Sequence, residues 1–321
     1  METDLPVKKS GGVSLSKPHS FIKNVRTHKW LLLMALPGVA VILVFCYLPM
    51  FGVILAFKDY NVIDGIIGSK WAGLNNFKYL FSTSDAWRIT YNTIYLNALF
   101  IVTGTAGGIF TAILMNEVRS RWAVKFYQSA LFLPYFISWV IVSYFVYALL
   151  SYDMGMINKM LIGLGMEPVQ WYNEAKLWPG ILVIVNLWKG VGYGSLIYLA
   201  GIMGIDAELY EAAIIDGAGK WQQITRITLP LLSPLIITLT LMSIGRIFFA
   251  DFGMFYNVTL DNGALFSTTN VIDTYVFRAL RLSGDVGMAS AAGFYQAFVG
   301  FVLVLISNLV VRKINPDRAL F

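Results

Sequence analysis

Six long apolar runs dominate the 321-residue sequence. They occupy residues 30–57, 89–115, 124–150, 178–201, 231–256 and 289–311. Each is longer than the ~20 residues that an α-helix needs to cross a bilayer. Hydrocarbon offers no partner for backbone polar groups, so runs of this kind cross as helices. We therefore predict an all-α polytopic membrane protein with six transmembrane helices.

The composition supports a membrane location and excludes other classes. Apolar residues make up 57 % of the chain and charged residues 13 %, which is more apolar surface than a soluble domain buries. The single Cys46 lies in the first run, far from His19 and His28, so we expect no disulfide and no metal site. The formal net charge of +6 comes from dispersed basic residues and indicates topology rather than nucleic-acid binding.

The basic residues predict the orientation of the chain. Outside the runs, fourteen Lys and Arg lie on the side that carries both termini and eight on the other. The positive-inside tendency therefore places both termini in the cytoplasm. The predicted organisation is a flexible basic tail near anionic lipid (1–29), a first helix (30–57), an extracytoplasmic loop (58–88), a transmembrane core (89–311) with a polar cytoplasmic segment (206–230), and a cytoplasmic C-terminus (312–321).

The polar segment 206–230 is unusual in so apolar a chain. Asp206 is a candidate N-cap, residues 207–216 favour a helix, and Gly217 offers a stop. A second short helix follows, and Pro230 marks a turn into the fifth run. Two short helices joined at a glycine would form a compact knob. By periodicity alone, an amphipathic connector lying on the lipid surface fits equally well.

The spacing within this segment resembles a known motif. Glu211-Ala212-Ala213, then Gly217, then Ile227-Thr228-Leu229-Pro230 resembles the EAA loop of ABC importer permeases, which docks on the ATPase subunit. The resemblance implies an ATPase-coupling role for eight residues: Glu211, Ala212, Ala213, Asp216, Gly217, Ile227, Leu229 and Pro230.

The resemblance extends from about residue 30 to the C-terminus. Residues 71–81, 131–145, 153–158 and 186–206 are similar to the oligosaccharide and polysaccharide branch of these permeases, including those for pectin- and alginate-derived fragments. It implies a bacterial inner-membrane protein whose partners are a second permease subunit, an ABC ATPase dimer that binds ATP and Mg, an extracytoplasmic solute-binding protein and an oligosaccharide. The chain has no phosphate-binding Gly-x-x-x-x-Gly-Lys-Ser/Thr motif, so we expect no enzyme and no bound cofactor here.

Charged and aromatic residues within the runs suggest a substrate path. A charge at a lipid-facing helix centre costs about 2.5 to 3.5 kcal/mol, so such residues should face a cavity, a partner helix or the interface. For Lys189 and Arg246, a buried ion pair or snorkelling is an equal alternative, and aromatic residues more often pack than bind sugar. An acidic oligosaccharide would pair with the two bases, although a neutral one is compatible. The path candidates are Lys189, Trp188, Tyr193, Arg246, Trp139, Tyr144, Tyr147 and Asp251.

The alternative function is a stand-alone ion channel or secondary transporter. "GVGYG" at 190–194 is similar to a potassium-channel filter, but it lies inside the fourth run rather than in a re-entrant loop before the last. A secondary transporter would be expected to have recognisable halves, and the sequence has no clear internal repeat. We interpret these glycines as sites of close helix contact or of a local break that lines a cavity, and Gly104 and Gly108 as sites of close helix packing.

Overall fold

The computed structural model describes residues 28–314. Residues 1–27 of the predicted tail and 315–321 of the predicted C-terminal segment lie outside the described residues. The chain divides into two compact units, Met1–Gly52 and Val53–Phe321. In the described part, five helices are long and apolar enough to span a membrane, or six if one bent pair counts as a single span. The predicted all-α fold is therefore confirmed.

The first long helix, α1, covers Lys29–Phe57. It begins as α-helix, widens to a π turn at Leu43–Tyr47 and tightens to a 3-10 helix at Leu48–Phe57. The change occurs beside Pro49, which has no N–H to continue the regular ladder. Every residue from 29 to 50 is exposed. An apolar helix exposed all round is suited to a bilayer.

The second unit is helical apart from one short strand pair. Strands β1 (Lys58–Asp59) and β2 (Lys70–Trp71) pair antiparallel. The helices are α2 (Gly65–Gly68), α3 (Asn75–Ser82), α4 (Ser84–Glu117), α5 (Arg121–Phe132), α6 (Trp139–Leu150), α7 (Met156–Gly163), α8 (Trp178–Met203), α9 (Ala207–Ile215), α10 (Lys220–Gln223), α11 (Leu229–Ile244), α12 (Phe266–Thr269), α13 (Ile272–Arg281) and α14 (Val286–Ile314). Because α4 begins at Ser84, residues 84–88 of the predicted loop belong to this helix.

The most extensive helix contact in this unit joins α4 to α8. A Cβ at Gly107 would lie 2.7 Å from Leu187 Cδ1, and one at Gly108 would lie 3.1 Å from Tyr198 Cε2. Small residues let helix backbones approach in this way. A Cβ at Gly104, by contrast, would meet no atom within 4 Å. The packing interpretation therefore holds for Gly108 and not for Gly104.

The filter-like stretch at 190–194 lies inside the continuous helix α8. Its backbone carbonyls belong to a helical ladder and do not form the ring of free carbonyls that a potassium filter needs. A Cβ at Gly192 would lie 1.9 Å from the backbone oxygen of Leu131. Gly192 therefore allows the end of α5 to cross α8 at close range.

The third run was predicted as one helix over 124–150, and this is wrong. The structure has α5, a 3-10 turn at Leu133–Phe136, and α6, with a bend of 99° between the two helical parts. Pro134 lacks a donor, and Ile137 and Ser138 are extended. Ser138 then starts α6 by accepting a hydrogen bond from the N–H of Ile141 at 3.4 Å. The run is thus two helices joined at a sharp bend and not one continuous helix.

The fifth run was predicted over 231–256 with a turn at Pro230, and both boundaries are wrong. One helix covers Lys220–Ile244 without a turn. A π segment at Ile224–Thr228 precedes Pro230, and the helix continues through this proline. The helix ends at Ile244, so Arg246 and Asp251 lie in the connection beyond it.

Candidate functional site

Helix α9 forms the first half of the predicted coupling segment. Asp206 caps it, because its Oδ1 accepts a hydrogen bond from the N–H of Glu208 at 3.0 Å. The Glu208 carboxylate in the first turn complements the positive end of the helix dipole. Glu211 follows one turn later, and its side chain is exposed. The helix therefore presents an accessible carboxylate from a well-capped start.

Gly217 makes the bend between α9 and α10. Its φ is +77°, a left-handed conformation that glycine adopts without a steric cost. The N–H of Gly217 donates to the oxygen of Ile214 at 3.0 Å, and the N–H of Ala218 donates to the oxygen of Ala213 at 2.8 Å. This pair of bonds is the Schellman ending of a helix. The predicted glycine stop is confirmed, and the bend requires the backbone freedom of this residue.

Side-chain contacts fasten the knob, defined here as residues 206–223, to the long helices. The hydroxyls of Tyr210 and Thr228 lie 2.9 Å apart and join α9 to the π segment. Lys220 Nζ lies 2.9 Å from Glu117 Oε2 and joins α10 to the end of α4. Because α10 also runs without a turn into α11, the knob is continuous with one span and bonded to another.

The outer surface of the knob is more apolar than its sequence motif suggests. Glu211, Ala212 and Asp216 are exposed, as a docking surface requires. Ile215 and Trp221 are also 85 % and 75 % exposed. The sequence analysis did not select Ile215 and Trp221 as docking residues. Large apolar residues within a polar segment are the feature that could have identified them. Of the other candidates, Gly217 and Pro230 are exposed, and Ala213, Ile227 and Leu229 are half-buried.

Lys189 fills the break in the third span. Its ammonium donates to the backbone oxygens of Pro134, Tyr135 and Ile137 at 3.2, 2.7 and 2.6 Å. It also lies 5.1 Å from the ring centroid of Trp139. Carbonyls at the end of a helix carry partial negative charge and need donors. Lys189 therefore compensates the backbone that the 99° bend leaves unpaired.

Asp251 joins the connection after α11 to the start of α6, beside the bend between α5 and α6. The indole Nε1 of Trp139 donates to Asp251 Oδ2 at 2.7 Å, and the N–H of Met254 donates to Oδ1 at 3.2 Å. A Cβ at Gly253 would lie 2.6 Å from Trp139 Cδ1. The structure thus brings three path candidates, Lys189, Trp139 and Asp251, into one cluster.

Two other path candidates line a cavity of ≈ 600 Å³ between α4, α8 and α11. Tyr193 and Arg246 border it together with Asn97 and Asn186. Within residues 28–314, the Arg246 guanidinium has no ion pair or hydrogen bond. The sequence analysis did not select Asn97 and Asn186. Each is a polar residue within an apolar run, and that feature could have identified them. The cavity therefore combines an unneutralised cation with hydrogen-bonding groups.

The remaining candidates lie elsewhere. Trp188, Tyr144 and Tyr147 do not border this cavity. The ring of Tyr147 lies 5.8 Å from that of Tyr172, and burial, with Tyr147 beside it, raises the pKa of the Tyr172 hydroxyl. Tyr193, by contrast, stacks on Tyr135 at 4.7 Å. Contact with sugar stays a prediction for all of the aromatic candidates.

Residues 104–317 match the sequence profile of the family described as binding-protein-dependent transport system inner membrane component. The chain belongs to this family. The permease is 33 % identical to Protein LplB of Bacillus subtilis (strain 168) over 318 residues, which is 99 % of each chain. It is 35 % identical to the polygalacturonan/rhamnogalacturonan transport system permease protein YteP of the same organism over 289 residues, 90 % of this chain and 89 % of YteP.

The permease also resembles solved transporters. It superposes with a TM-score of 0.83 and 35 % identity on a chain of a bacterial ABC transporter involved in the import of the acidic polysaccharide alginate, covering 92 % of this chain and 100 % of that one. A structure of bacterial alginate ABC transporter in complex with alginate pentasaccharide-bound periplasmic protein gives a TM-score of 0.82 at the same identity, covering 92 % and 98 %. The chain is an inner-membrane permease subunit of an ABC importer, not a stand-alone channel or secondary transporter.

One helix connects the two candidate regions of the permease. Lys220, at its start, belongs to the knob, whereas Leu239, Met242 and Ser243, near its end, border the cavity. At 1.5 Å per residue, the helix Lys220–Ile244 is about 36 Å long. The knob and the cavity are therefore connected by one continuous helix.

Proposed function

We propose that this permease forms half of the translocation path for an acidic oligosaccharide. The observation that carries the proposal is Arg246, which borders the cavity without an acidic partner among residues 28–314. A guanidinium binds a carboxylate through two parallel hydrogen bonds. The relatives of the permease include proteins named for alginate and for polygalacturonan/rhamnogalacturonan. A cation without an acidic partner, in a cavity that also carries the amides of Asn97 and Asn186, is suited to ligands of that charge.

Arg246, rather than Lys189, is the counter-charge in this proposal. The Lys189 ammonium already donates to three backbone oxygens, so it has no free donor for a ligand. Arg246 has its full set of donors. The two bases that the sequence analysis treated alike therefore have different roles, one in the fold and one toward the substrate.

The partners in this proposal follow from the open side of the cavity and from the exposed knob. A second permease subunit closes the cavity, where Met242 and Phe249 are exposed. A solute-binding protein delivers the oligosaccharide from outside the cell. An ABC ATPase dimer, which binds ATP and Mg, docks on the knob through Glu211 and the apolar residues beside it. ATP binding shifts the permease between two packings only if the ATPase holds the knob differently in its two states.

Substitution of Arg246 tests the substrate proposal. In proteoliposomes with the partner subunits supplied, Arg246→Met is expected to lower uptake of an acidic oligouronide about 10- to 100-fold, because one charge-assisted contact is lost. Uptake of the same oligosaccharide with methyl-esterified carboxyls should change little. The measurement is the initial rate of uptake of each labelled sugar.

Arg281→Met is the matched control for this experiment. Arg281 is an exposed arginine at the end of α13 and does not border the cavity. This variant should transport both sugars at the wild-type rate. Equal losses for the charged and the esterified sugar in Arg246→Met would contradict a counter-charge role and assign the arginine to the fold.

The orientation of the knob is tested by labelling in intact cells. In a Cys46→Ser background, Ile215→Cys should react with a membrane-impermeant maleimide only after the membrane is opened, because the proposal places the knob in the cytoplasm. Ile67→Cys, in the loop after α1, should react in intact cells. Both side chains are highly exposed in the permease, and the cells express it without the ATPase that would cover Ile215, so poor access cannot explain a negative result. External labelling of Ile215→Cys would rule out docking of a cytoplasmic ATPase on the knob.

A further inference from the structure

A second cavity, of ≈ 650 Å³, lies where α4 and α8 begin. It shares no lining residue with the cavity that contains Arg246. On α4 it is bordered by Ser84, Trp87, Arg88, Tyr91, Asn92 and Tyr95, which recur at helical spacing along one face. Lys176, Pro179, Ser267 and Thr268 complete the lining. The permease function described above makes no use of this cavity.

Buried hydrogen bonds hold the walls of this second cavity together. The Asn92 Nδ2 donates to the oxygen of Asn270 at 3.1 Å, which joins α4 to the segment after α12. The hydroxyl of Thr268 donates to the oxygen of Ala175 at 2.6 Å, which joins α12 to the start of α8. The cavity is therefore a preformed feature of the fold rather than a gap between loosely placed loops.

Two cations border the cavity, and neither is neutralised within it. Lys176 has no ion pair or hydrogen bond from its ammonium within residues 28–314. Arg88 lies 3.6 Å from Asp85, but both side chains are exposed and such a pair contributes little. The hydroxyl of Ser84 lies on the same lining, whereas that of Thr268 already donates to Ala175. This set of groups is suited to an anion with several oxygen acceptors.

The aromatic residues give the cavity an apolar side. Trp87, Tyr91 and Tyr95 are four residues apart on α4 and are 78 %, 58 % and 41 % exposed. The rings of Tyr91 and Tyr95 are parallel within 7°, with centroids 5.6 Å apart. Exposed Trp and Tyr near the end of a membrane helix are typical of the lipid headgroup level. Acyl chains can lie along such a surface.

The length of α4 also places the second cavity at the level of the lipid headgroups. Arg88 and Glu117 are separated by 29 residues of one helix, about 44 Å, which matches the ~40–45 Å of a bilayer with its headgroups. Arg88 therefore lies at headgroup level when Glu117 lies at the opposite one. Lys176 borders the same cavity, so both cations are placed where lipid phosphates lie.

From the cations, the hydroxyl, the aromatic stripe and this depth, we propose that the second cavity binds an anionic glycerophospholipid. Arg88 and Lys176 bind its phosphodiester, the Ser84 hydroxyl binds the polar headgroup, and Trp87, Tyr91 and Tyr95 contact the upper acyl chains. A lipid in this position would join α4, the start of α8 and α12.

Lipid titration of the purified full-length permease tests the site. Phosphatidylglycerol and phosphatidylcholine are added to detergent-solubilised protein, and native mass spectrometry measures the bound fraction of each. Wild type should prefer phosphatidylglycerol. The double variant Arg88→Gln/Lys176→Gln should bind it about 30-fold more weakly, since each surface cation contributes about fivefold. The matched control, Lys159→Gln/Arg281→Gln, removes the same charge from exposed positions outside the cavity and should keep wild-type affinity.

Two further measurements separate a lipid from other anions. Trp87→Ala should weaken phosphatidylglycerol binding but leave competition by glycerol 3-phosphate unchanged, because only the lipid has chains to contact the ring. Equal affinity for the lipid and for glycerol 3-phosphate would overturn the lipid assignment. So would displacement of phosphatidylglycerol by an acidic oligouronide at equal concentration, which would make the cavity a sugar site. Unchanged lipid affinity in the double variant would overturn the site itself.

Discussion

Gly217→Val is expected to abolish ATP-dependent uptake while the permease still inserts and folds. Gly217 has a φ of +77° at the bend of the knob. A branched side chain in this left-handed conformation costs about 1–2 kcal/mol, which lowers the population of the native bend about 5- to 30-fold. A Cβ at this position meets no atom within 4 Å, so the expected effect is purely one of backbone conformation.

Three variants together locate the cause of this loss. Asn tolerates the left-handed conformation better than other side chains, so Gly217→Asn should retain much of the uptake that Gly217→Val loses. Glu211→Lys leaves the bend intact but reverses an exposed charge, and it should weaken ATPase binding with no change in thermal stability. The measurements are ATPase co-purification and uptake in proteoliposomes. Wild-type uptake in both Gly217→Val and Glu211→Lys would show that the knob is a surface connector.

Gly192→Ala is expected to prevent correct folding of the permease. The new Cβ would lie 1.9 Å from the Leu131 oxygen and 2.4 Å from its carbon, and these are backbone atoms that no rotamer change can move. Overpacking of this kind costs at least about 1–3 kcal/mol, and more where backbone has to shift. We therefore expect a large fall in monodisperse protein after extraction and in the melting temperature of what remains.

Gly180→Ala is the matched control, because it makes the same change on the same helix. A Cβ at Gly180 meets no atom within 4 Å, so alanine should be neutral or slightly stabilising there. Size-exclusion profiles and thermal melts of the two variants decide the comparison. If both behave alike, the close crossing of α5 over α8 does not determine the fold.

The sequence was most informative where a local rule acts alone. The Asp206 cap and the Gly217 stop follow from side-chain chemistry and backbone freedom within a few residues, and both are confirmed. It was least informative about helix ends. The bend at Pro134 and the passage of a helix through Pro230 depend on the same residue type with opposite results. The helix continues past Pro230 after a π segment, whereas a 3-10 turn and two extended residues interrupt the chain at Pro134.

The sequence by itself determined that this chain is a helical membrane protein of the permease type, because apolar length and motif spacing are properties of the chain alone. Only the tertiary structure decided what its charged residues do. Lys189 compensates carbonyls of another helix, whereas Arg246 borders a cavity without a partner among the described residues. Their sequence contexts are similar. The groups that satisfy a charge on a membrane helix are distant in the chain, and the packing of helices determines which groups those are.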